Sequence, residues 1–319
     1  MVTHGDRASK ATMDLDPVAA LDCGTNSTRL LVADHRGEPL ERLMRITRLG
    51  EGVDATGSLA PAAIDRCVAV LGEYRGVMDR LGVGRARLVA TSAARDAANG
   101  RVFLEAARAA VGVAPELLSG REEGALSMAG ALADLDGADG PYLVLDIGGG
   151  STELVAGDGP DDPGLAAVSL QMGCVRVSER YLRNDPPTTA ELAAAEAMVH
   201  AALDAAVADH PRFADKPRLL GLAGTVTTIS SLQQGLTEYD RDRIHHARLT
   251  AEQVDRWYRT LAAEDRAGRL SRPGMVPGRE DVIVGGAMIL SLVMRRLGLE
   301  ECLVSEGDIL DGLVASLLA

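Results

Sequence analysis

Cysteine, lysine and long apolar runs are scarce in this chain. The four cysteines, Cys23, Cys67, Cys174 and Cys302, lie far apart with no C-x-x-C pair, which excludes a disulfide framework and a structural zinc site. No run approaches the roughly 18 apolar residues of a membrane span, and residues 1–17 lack the apolar centre of a signal peptide. A cytoplasmic protein without a membrane partner is expected. The only lysines are Lys10 and Lys216. Arginine therefore carries nearly all the positive charge, which suits bidentate phosphate contacts and equally a GC-rich genome. Lys+Arg total 33 against Asp+Glu 46, a net charge of −13. That sign excludes a general nucleic-acid binder, so an anionic ligand would have to be drawn by local arginines and a metal ion.

What is present is ordinary globular composition, with 46% hydrophobic and 25% charged residues over 319 positions, a length that accommodates two domains. Within it lies a duplication. Residues 21–34 read Leu-Asp-Cys-Gly-Thr-Asn-Ser-Thr-Arg-Leu-Leu-Val-Ala-Asp, and residues 145–158 read Leu-Asp-Ile-Gly-Gly-Gly-Ser-Thr-Glu-Leu-Val-Ala-Gly-Asp. In each copy an apolar strand runs into an Asp, then a turn of glycine and small polar residues, then a second apolar strand. Such a turn lets backbone N–H groups converge on a phosphate while the preceding Asp holds the neutralising cation. The two copies differ after their shared Ser-Thr, where one has Arg29 and the other Glu153.

The remaining pattern is α/β. Ser58 is read as the N-cap of a helix ending at Gly82, a strand is expected over 86–91, and Asn99 as the cap of a helix reaching Val111. Ser119-Gly-Arg-Glu122 and Thr188-Thr-Ala-Glu191 are capping boxes. The Gly/Asp/Pro-rich stretch 134–141 reads as a boundary between halves. A third glycine turn, residues 221–228, opens a helix and offers another anion site. The tail 1–17 is expected to be disordered, and Met13 is an alternative start. Four parts are thus expected: the tail, a domain over 18–135, a second over 136–304, and a closing helix over 305–319. That helix, from about Glu306, should bury Ile309, Leu310, Leu313, Val314 and Leu317 across the hinge.

The patterns Asp22-x-Gly-x-Asn-Ser-x-Arg29, Ala90-Thr-Ser-Ala-Ala-Arg-Asp-Ala-Ala-Asn99, Leu118-Ser-Gly-Arg-Glu-Glu123, Asp146-Ile-Gly-Gly-Gly-Ser-Thr-Glu153 and Gly221-Leu-Ala-Gly-Thr-Val-Thr-Thr228 fall in order along the chain. Together they resemble the exopolyphosphatase/guanosine pentaphosphate phosphohydrolase family, most closely its short actinobacterial exopolyphosphatases. The resemblance implies two ribonuclease-H-like domains of the actin/sugar kinase/Hsp70 superfold with the active site in the cleft between them. It implies release of terminal orthophosphate from inorganic polyphosphate, with Mg2+ or Mn2+ as cofactor and stimulation by a monovalent cation left open. Guanosine penta- or tetraphosphate is implied as an alternative substrate or inhibitor, and pairing into a homodimer is common in the family.

Carried onto this sequence, the resemblance makes Glu123 the general base. Glu122 is already occupied by its capping box, whereas Glu123 has no such task; its structural alternative is a first-turn carboxylate complementing the helix dipole. Asp22, Asp146 and Glu153 are the expected metal ligands, the last two also catalytic, with a cross-strand pair the alternative for Glu153. The expected phosphate contacts are Gly24, Thr25, Asn26, Ser27, Arg29, Arg95, Gly148, Gly149, Gly150, Ser151, Thr152, Gly224, Thr225 and Arg279. Arg29 is otherwise a solvated strand residue, and Arg279 otherwise a helix-start ion pair. His245 and His246 are read as loop or surface residues rather than ligands.

Two departures bear on substrate. Longer members continue into a helical C-terminal region, whereas this sequence stops at Ala319. Ser305-Glu-Gly-Asp-Ile-Leu-Asp-Gly312 stands where many members have Ser-x-x-Gly-Leu-Arg-x-Gly. Both lead us to expect short chains. A nucleotide 5′-phosphohydrolase and a catalytically weak alarmone or polyphosphate sensor are the other readings, the sensor disfavoured by retention of Glu123, Asp146 and Glu153.

Overall fold

The computed structural model describes residues 16–135, 140–215 and 217–319. The tail reading, the alternative start at Met13, Lys216 and part of the expected boundary segment therefore lie outside the described residues.

Two sheets repeat one strand order. The first contains β1 (Val18–Cys23), β2 (Ser27–Ala33), β3 (Pro39–Ile46), β4 (Arg85–Ala90) and β5 (Pro115–Leu117) in the order β3-β2-β1-β4-β5. The second contains β6 (Tyr142–Ile147), β7 (Thr152–Gly157), β8 (Ala166–Leu170), β9 (Arg218–Leu222), β10 (Arg248–Thr250) and β11 (Glu301–Val304) in the order β10-β11-β9-β6-β7-β8. Read from β8, it matches the first with one extra edge strand. In both sheets three antiparallel strands lead into parallel ones. This doubled arrangement is the actin-like superfold. β1 and β6 are buried along their whole length, which is why they read as continuous apolar runs rather than alternating ones. Each admits one ionisable carboxylate, Asp22 and Asp146.

We number the helices of eight residues or more: α1 (Pro61–Leu81), α2 (Gly100–Val111), α3 (Gly120–Ala131), α4 (Cys174–Tyr181), α5 (Thr189–Asp209), α6 (Ala223–Gln234), α7 (Ala251–Ala263), α8 (Ile283–Leu297) and α9 (Ile309–Leu318). Among the described residues no helix is long and apolar enough to cross a membrane. α1 and α2 cover one face of the first sheet through Leu71, Tyr74, Phe103 and Ala107. The almost wholly apolar α8 is the centre of the second core.

Two helices exchange partners. α3, which follows the first sheet in sequence, buries Met128 and Ala131 against Tyr142, Val144, Val155 and Leu220 of the second. α9, which ends the chain, buries Ile309, Leu310, Leu313 and Val314 against Val18, Ala20, Leu31 and Val89 of the first. Burying these four side chains contributes roughly 1.5–3 kcal/mol apiece. That is ample to hold the segment before α9, including Asp308, across the junction.

The capping boxes at Ser119/Glu122 and Thr188/Glu191 form as expected. Two boundaries and one side-chain cap are corrected. Ala60, not Ser58, caps α1, because Pro61 supplies the ready-made φ of a first helical position. Asn99 precedes α2, yet its side chain instead bonds both the N–H and the carbonyl of Leu59. α9 begins at Ile309 rather than near Glu306, because Asp308 and Asp311 form a capping box there.

Candidate active site

The duplicated hairpins place their distinguishing residues at equivalent register positions: Arg29 stands opposite Asp22 in one, and Glu153 opposite Asp146 in the other. In the first copy this makes an ion pair, with Arg29 Nε and Nη2 donating to Asp22 Oδ2 at 3.0 and 2.7 Å. The second copy opposes two carboxylates, which is unfavourable unless something positive compensates. Asp146 Oδ2 accepts from Ser127 at 2.8 Å, and Glu153 Oε1 from Ser169 at 2.7 Å.

The two turns face each other across a cavity of about 540 Å³ whose wall includes Asp22, Gly24, Thr25, Asn26, Ser27, Arg29, Glu123, Asp146, Gly148, Gly149, Gly150, Ser151, Gly224 and Arg279. The turns approach so closely that a Cβ on Gly150 would lie 2.5 Å from Ser92 Oγ and 2.9 Å from Thr25 Oγ1. Glycine there is a requirement of contact between the halves.

The arginines divide into two kinds. Arg29 is fully engaged, since its Nη1 also donates to Asp308. Arg42, from β3, pairs with Asp311 and lies 3.9 Å from Asp308. Arg279 has no carboxylate partner among the described residues; its Nη2 lies 3.6 Å from the Met44 sulfur, and burial lowers its pKa. The helix-start ion pair is therefore not what this residue makes. It packs over Gly224 at the start of α6, beside Ala223, which takes a left-handed φ of 65°. A non-glycine residue in that region is strained, and such strain collects at functional sites.

Glu123, in the first turn of α3, is nearly buried and touches the cavity. Its Oε2 accepts from Arg95 Nη1 at 3.3 Å, and the same nitrogen donates to the Leu118 carbonyl at 2.9 Å. Burial, then the nearby Glu153 and Asp146 carboxylates, hold the Glu123 carboxyl well above the usual range. Burial likewise pushes Asp146 up to about 6, and burial with the Asp146 charge pushes Glu153 up to about 7. Asp22 is raised by burial despite Arg29.

This carboxylate cluster fits a hard divalent cation. Asp22 Oδ1 and Glu153 Oε2 are buried with no hydrogen-bond partner, and oxygen-only donors under mutual repulsion suit Mg2+ or Mn2+. The ligand atoms of Asp22, Asp146 and Glu153 do not all lie within 4.8 Å of one another; among the described residues only Asp134, His245 and His246 meet that spacing. Asp134 and His245 belong to a hydrogen-bond chain instead, and His246 stacks on His245 with its Nε2 lacking a hydrogen-bond partner. His245 Nδ1 accepts the Glu306 N–H at 3.1 Å, so its Nε2 carries the proton and donates to Asp134 at 2.6 Å.

Four expected contacts do not line the cavity. Thr152 is fully buried with its hydroxyl donating to the Met172 carbonyl at 2.5 Å. Thr225 is turned toward Gly286, whose added Cβ would meet its Oγ1 at 2.2 Å. Arg95 gives its Nη1 to Glu123 and the Leu118 carbonyl while its Nη2 has no hydrogen-bond partner, and Glu153 accepts from Ser169. Conversely, the wall includes residues that sequence reasoning passed over: Arg42, Ser92, Cys174, Tyr239, Arg241, Glu306 and Asp308. Three of them carried a signal: Ser92 lies within the motif at 90–99, and Glu306 and Asp308 lie in the segment departing from the family pattern.

A profile of the Ppx/GppA phosphatase family matches residues 31–319. Exopolyphosphatase 2 of Mycobacterium tuberculosis is 42% identical over 321 residues, which cover 96% of this chain and 99% of that protein. Guanosine-5′-triphosphate,3′-diphosphate pyrophosphatase of Photobacterium profundum is 29% identical over 96% of this chain and 61% of its own length. The crystal structure of an exopolyphosphatase-like protein superposes with a TM-score of 0.88 at 38% identity, over 94% of this chain and 98% of that one. Doubled fold, paired turns and full-length similarity agree, and the chain belongs to the Ppx/GppA phosphatase family.

Proposed function

We propose that this protein is an exopolyphosphatase that hydrolyses the terminal phosphoanhydride of short polyphosphates, with Glu123 as general base. The observation that carries this reading is the placement of Glu123 at the cavity wall, anchored by Arg95 and raised in pKa by burial and its acidic neighbours. A carboxylate with a raised pKa is a stronger base and so better matched to taking a proton from water than an ordinary one. Arg279, the cavity guanidinium without a carboxylate partner, binds a phosphate beyond the scissile bond. The backbone of the turns at 24–27 and 148–151 orients the terminal group. Glu123 positions a water molecule in line with the leaving oxygen and accepts its proton, and orthophosphate departs. Asp146, Glu153 and Asp22 would hold Mg2+ or Mn2+, which when bound supplies charge neutralisation at the terminal phosphate.

A second reading, hydrolysis of the 5′ phosphate of guanosine pentaphosphate, draws on one feature of the wall. Leu43, Met44, Val276 and Tyr239 present apolar surface that a bare polyanion does not need and a purine would cover. The Photobacterium relative carries a name consistent with it.

The test is Mg2+-dependent orthophosphate release from tripolyphosphate, long-chain polyphosphate, guanosine pentaphosphate and ATP, using wild type and Glu123→Ala. Release from polyphosphate that vanishes in the variant supports the first reading. Release from the nucleotides alone moves the assignment to the second, and no release from any substrate overturns both.

A further inference from the structure

The wall formed by β1, β2, β3 and the start of α9 carries an alternating row of charges: Asp22, Arg29, Asp308, Arg42 and Asp311. Three carboxylates enclose two guanidiniums, so a wall that should attract a polyanion has a net charge of −1. Asp308 is the member common to both arginines. One oxygen takes the Nη1 of Arg29, and the other faces Arg42 Nη1 at 3.9 Å. It is also well shielded, with 11% side-chain exposure, so its charge acts on the cavity with little screening. Burial works against the Asp308 anion, but Arg29 and Arg42 hold its carboxyl below the ordinary range. The negative charge persists at any pH where a phosphohydrolase of this kind would work.

We infer that Asp308 is a specificity-determining residue: by occupying Arg29 and Arg42 it limits how many phosphates the cavity accepts, and so biases the enzyme against long polyphosphate chains. The inference rests on the phosphoanhydride reading of the same cavity. With Asp308 present, Arg279 is left as the guanidinium free of carboxylates, enough for the first phosphate beyond the scissile bond. A chain that continues past it meets guanidiniums that already face carboxylates: Arg29 gives all three nitrogens to Asp22 and Asp308, and Arg42 is paired with Asp311 beside Asp308 with only its Nε left unpartnered, so a further anion must compete with charges already in place.

The residue can be neutralised without disturbing the helix it begins. Asp308 Oδ1 accepts the Leu310 N–H at 2.9 Å as the N-cap of α9. Asn and Ser serve that position about as well as Asp. Asp308→Asn removes the charge, while Asp308→Ser also removes the reach to Arg29.

The experiment titrates tripolyphosphate and long-chain polyphosphate calorimetrically into wild type, Asp308→Asn, Asp308→Ser and Asp308→Asn/Arg42→Gln, and measures phosphate release from both substrates in parallel. Both single variants should gain roughly tenfold in affinity for the long chain relative to tripolyphosphate, the worth of about one charge-assisted hydrogen bond. The added Arg42→Gln should cancel part of that gain. An unchanged long-to-short ratio in both single variants overturns the inference. Binding is read apart from turnover, so absence of phosphate release by wild type would count against the proposed activity while the affinity ratio still decides the role of Asp308.

Discussion

The guanidinium of Arg279 fills the space that a Cβ on Gly224 would need: an added Cβ would stand 1.7 Å from Nη1 and 1.8 Å from Cζ. Glycine at the start of α6 is thus a packing requirement of the arginine above it. Gly224→Ala should displace Arg279 and raise KM for polyphosphate by roughly tenfold to a hundredfold, the loss of one or two charge-assisted contacts. Alanine is the better helix former by about 1 kcal/mol, so thermal stability should stay level or rise. Steady-state kinetics and a melting curve on one preparation check the split; a fall in both would mean that the fold, not Arg279, is disturbed.

Glu123→Gln keeps shape and hydrogen-bonding capacity but removes the base. We expect kcat to fall by about 10²–10⁴ with KM little changed. Turnover near wild type would require another group to accept the proton.

The raised carboxyls make a prediction about stability in the absence of divalent cations. Asp146 is moved from an ordinary 3.8 to about 6, so the folded chain keeps a proton that the unfolded chain has already lost. That contribution is fully present below the unfolded value and is lost as pH rises through about 6, at a cost on the order of 3 kcal/mol. In EDTA, Asp146→Asn should therefore match wild type near pH 4 and be more stable by about that amount near pH 8. Denaturant titrations at the two pH values give the difference directly. Added Mg2+ should stabilise wild type at the higher pH and leave the variant much less affected.

α3 and α9 cross where both lack a side chain. A Cβ on Gly312 would lie 2.1 Å from the Leu126 carbonyl oxygen, and one on Gly130 would lie 1.8 Å from the Asp308 carbonyl oxygen. Gly312→Ala should force the helices apart at about 1–3 kcal/mol. The same shift moves Asp308, so stability and the chain-length ratio should change together. A Gly312→Ala protein with unaltered unfolding free energy would show that the crossing yields without cost.

The Asp308 variants form a separate prediction, distinguished from these by reading selectivity rather than rate or stability.

Much of the site is local in sequence and was legible there. A buried strand ending in Asp, followed by glycine and small polar residues, has few structural uses; finding it twice at residues 21–34 and 145–158 identified both turns and implied a doubled fold. The separation of Glu122 from Glu123 followed from helix geometry, because a capping box consumes one carboxylate and leaves its neighbour facing elsewhere. The segment departing from the family pattern at 305–312 pointed to the position of Asp308, although the pattern alone did not say which arginines it would engage.

Tertiary structure decided how charges are paired, because pairing depends on distances between segments far apart in the chain. Arg29 and Arg95 look like phosphate ligands in sequence; folding gives the first to Asp22 and Asp308 and the second to Glu123. Arg279 looked as well suited to a helix-start ion pair, and folding left it over Gly224 without a carboxylate. Thr152 and Thr225 belong to the right motifs yet face inward, since alternate residues of a buried strand and the inner face of a buried helix point away from the cavity. The sequence by itself determined the two turns and the doubled α/β architecture, set by local pattern and spacing. Only the fold, by bringing α9 back onto the first sheet, decided that Asp308 would stand between Arg29 and Arg42.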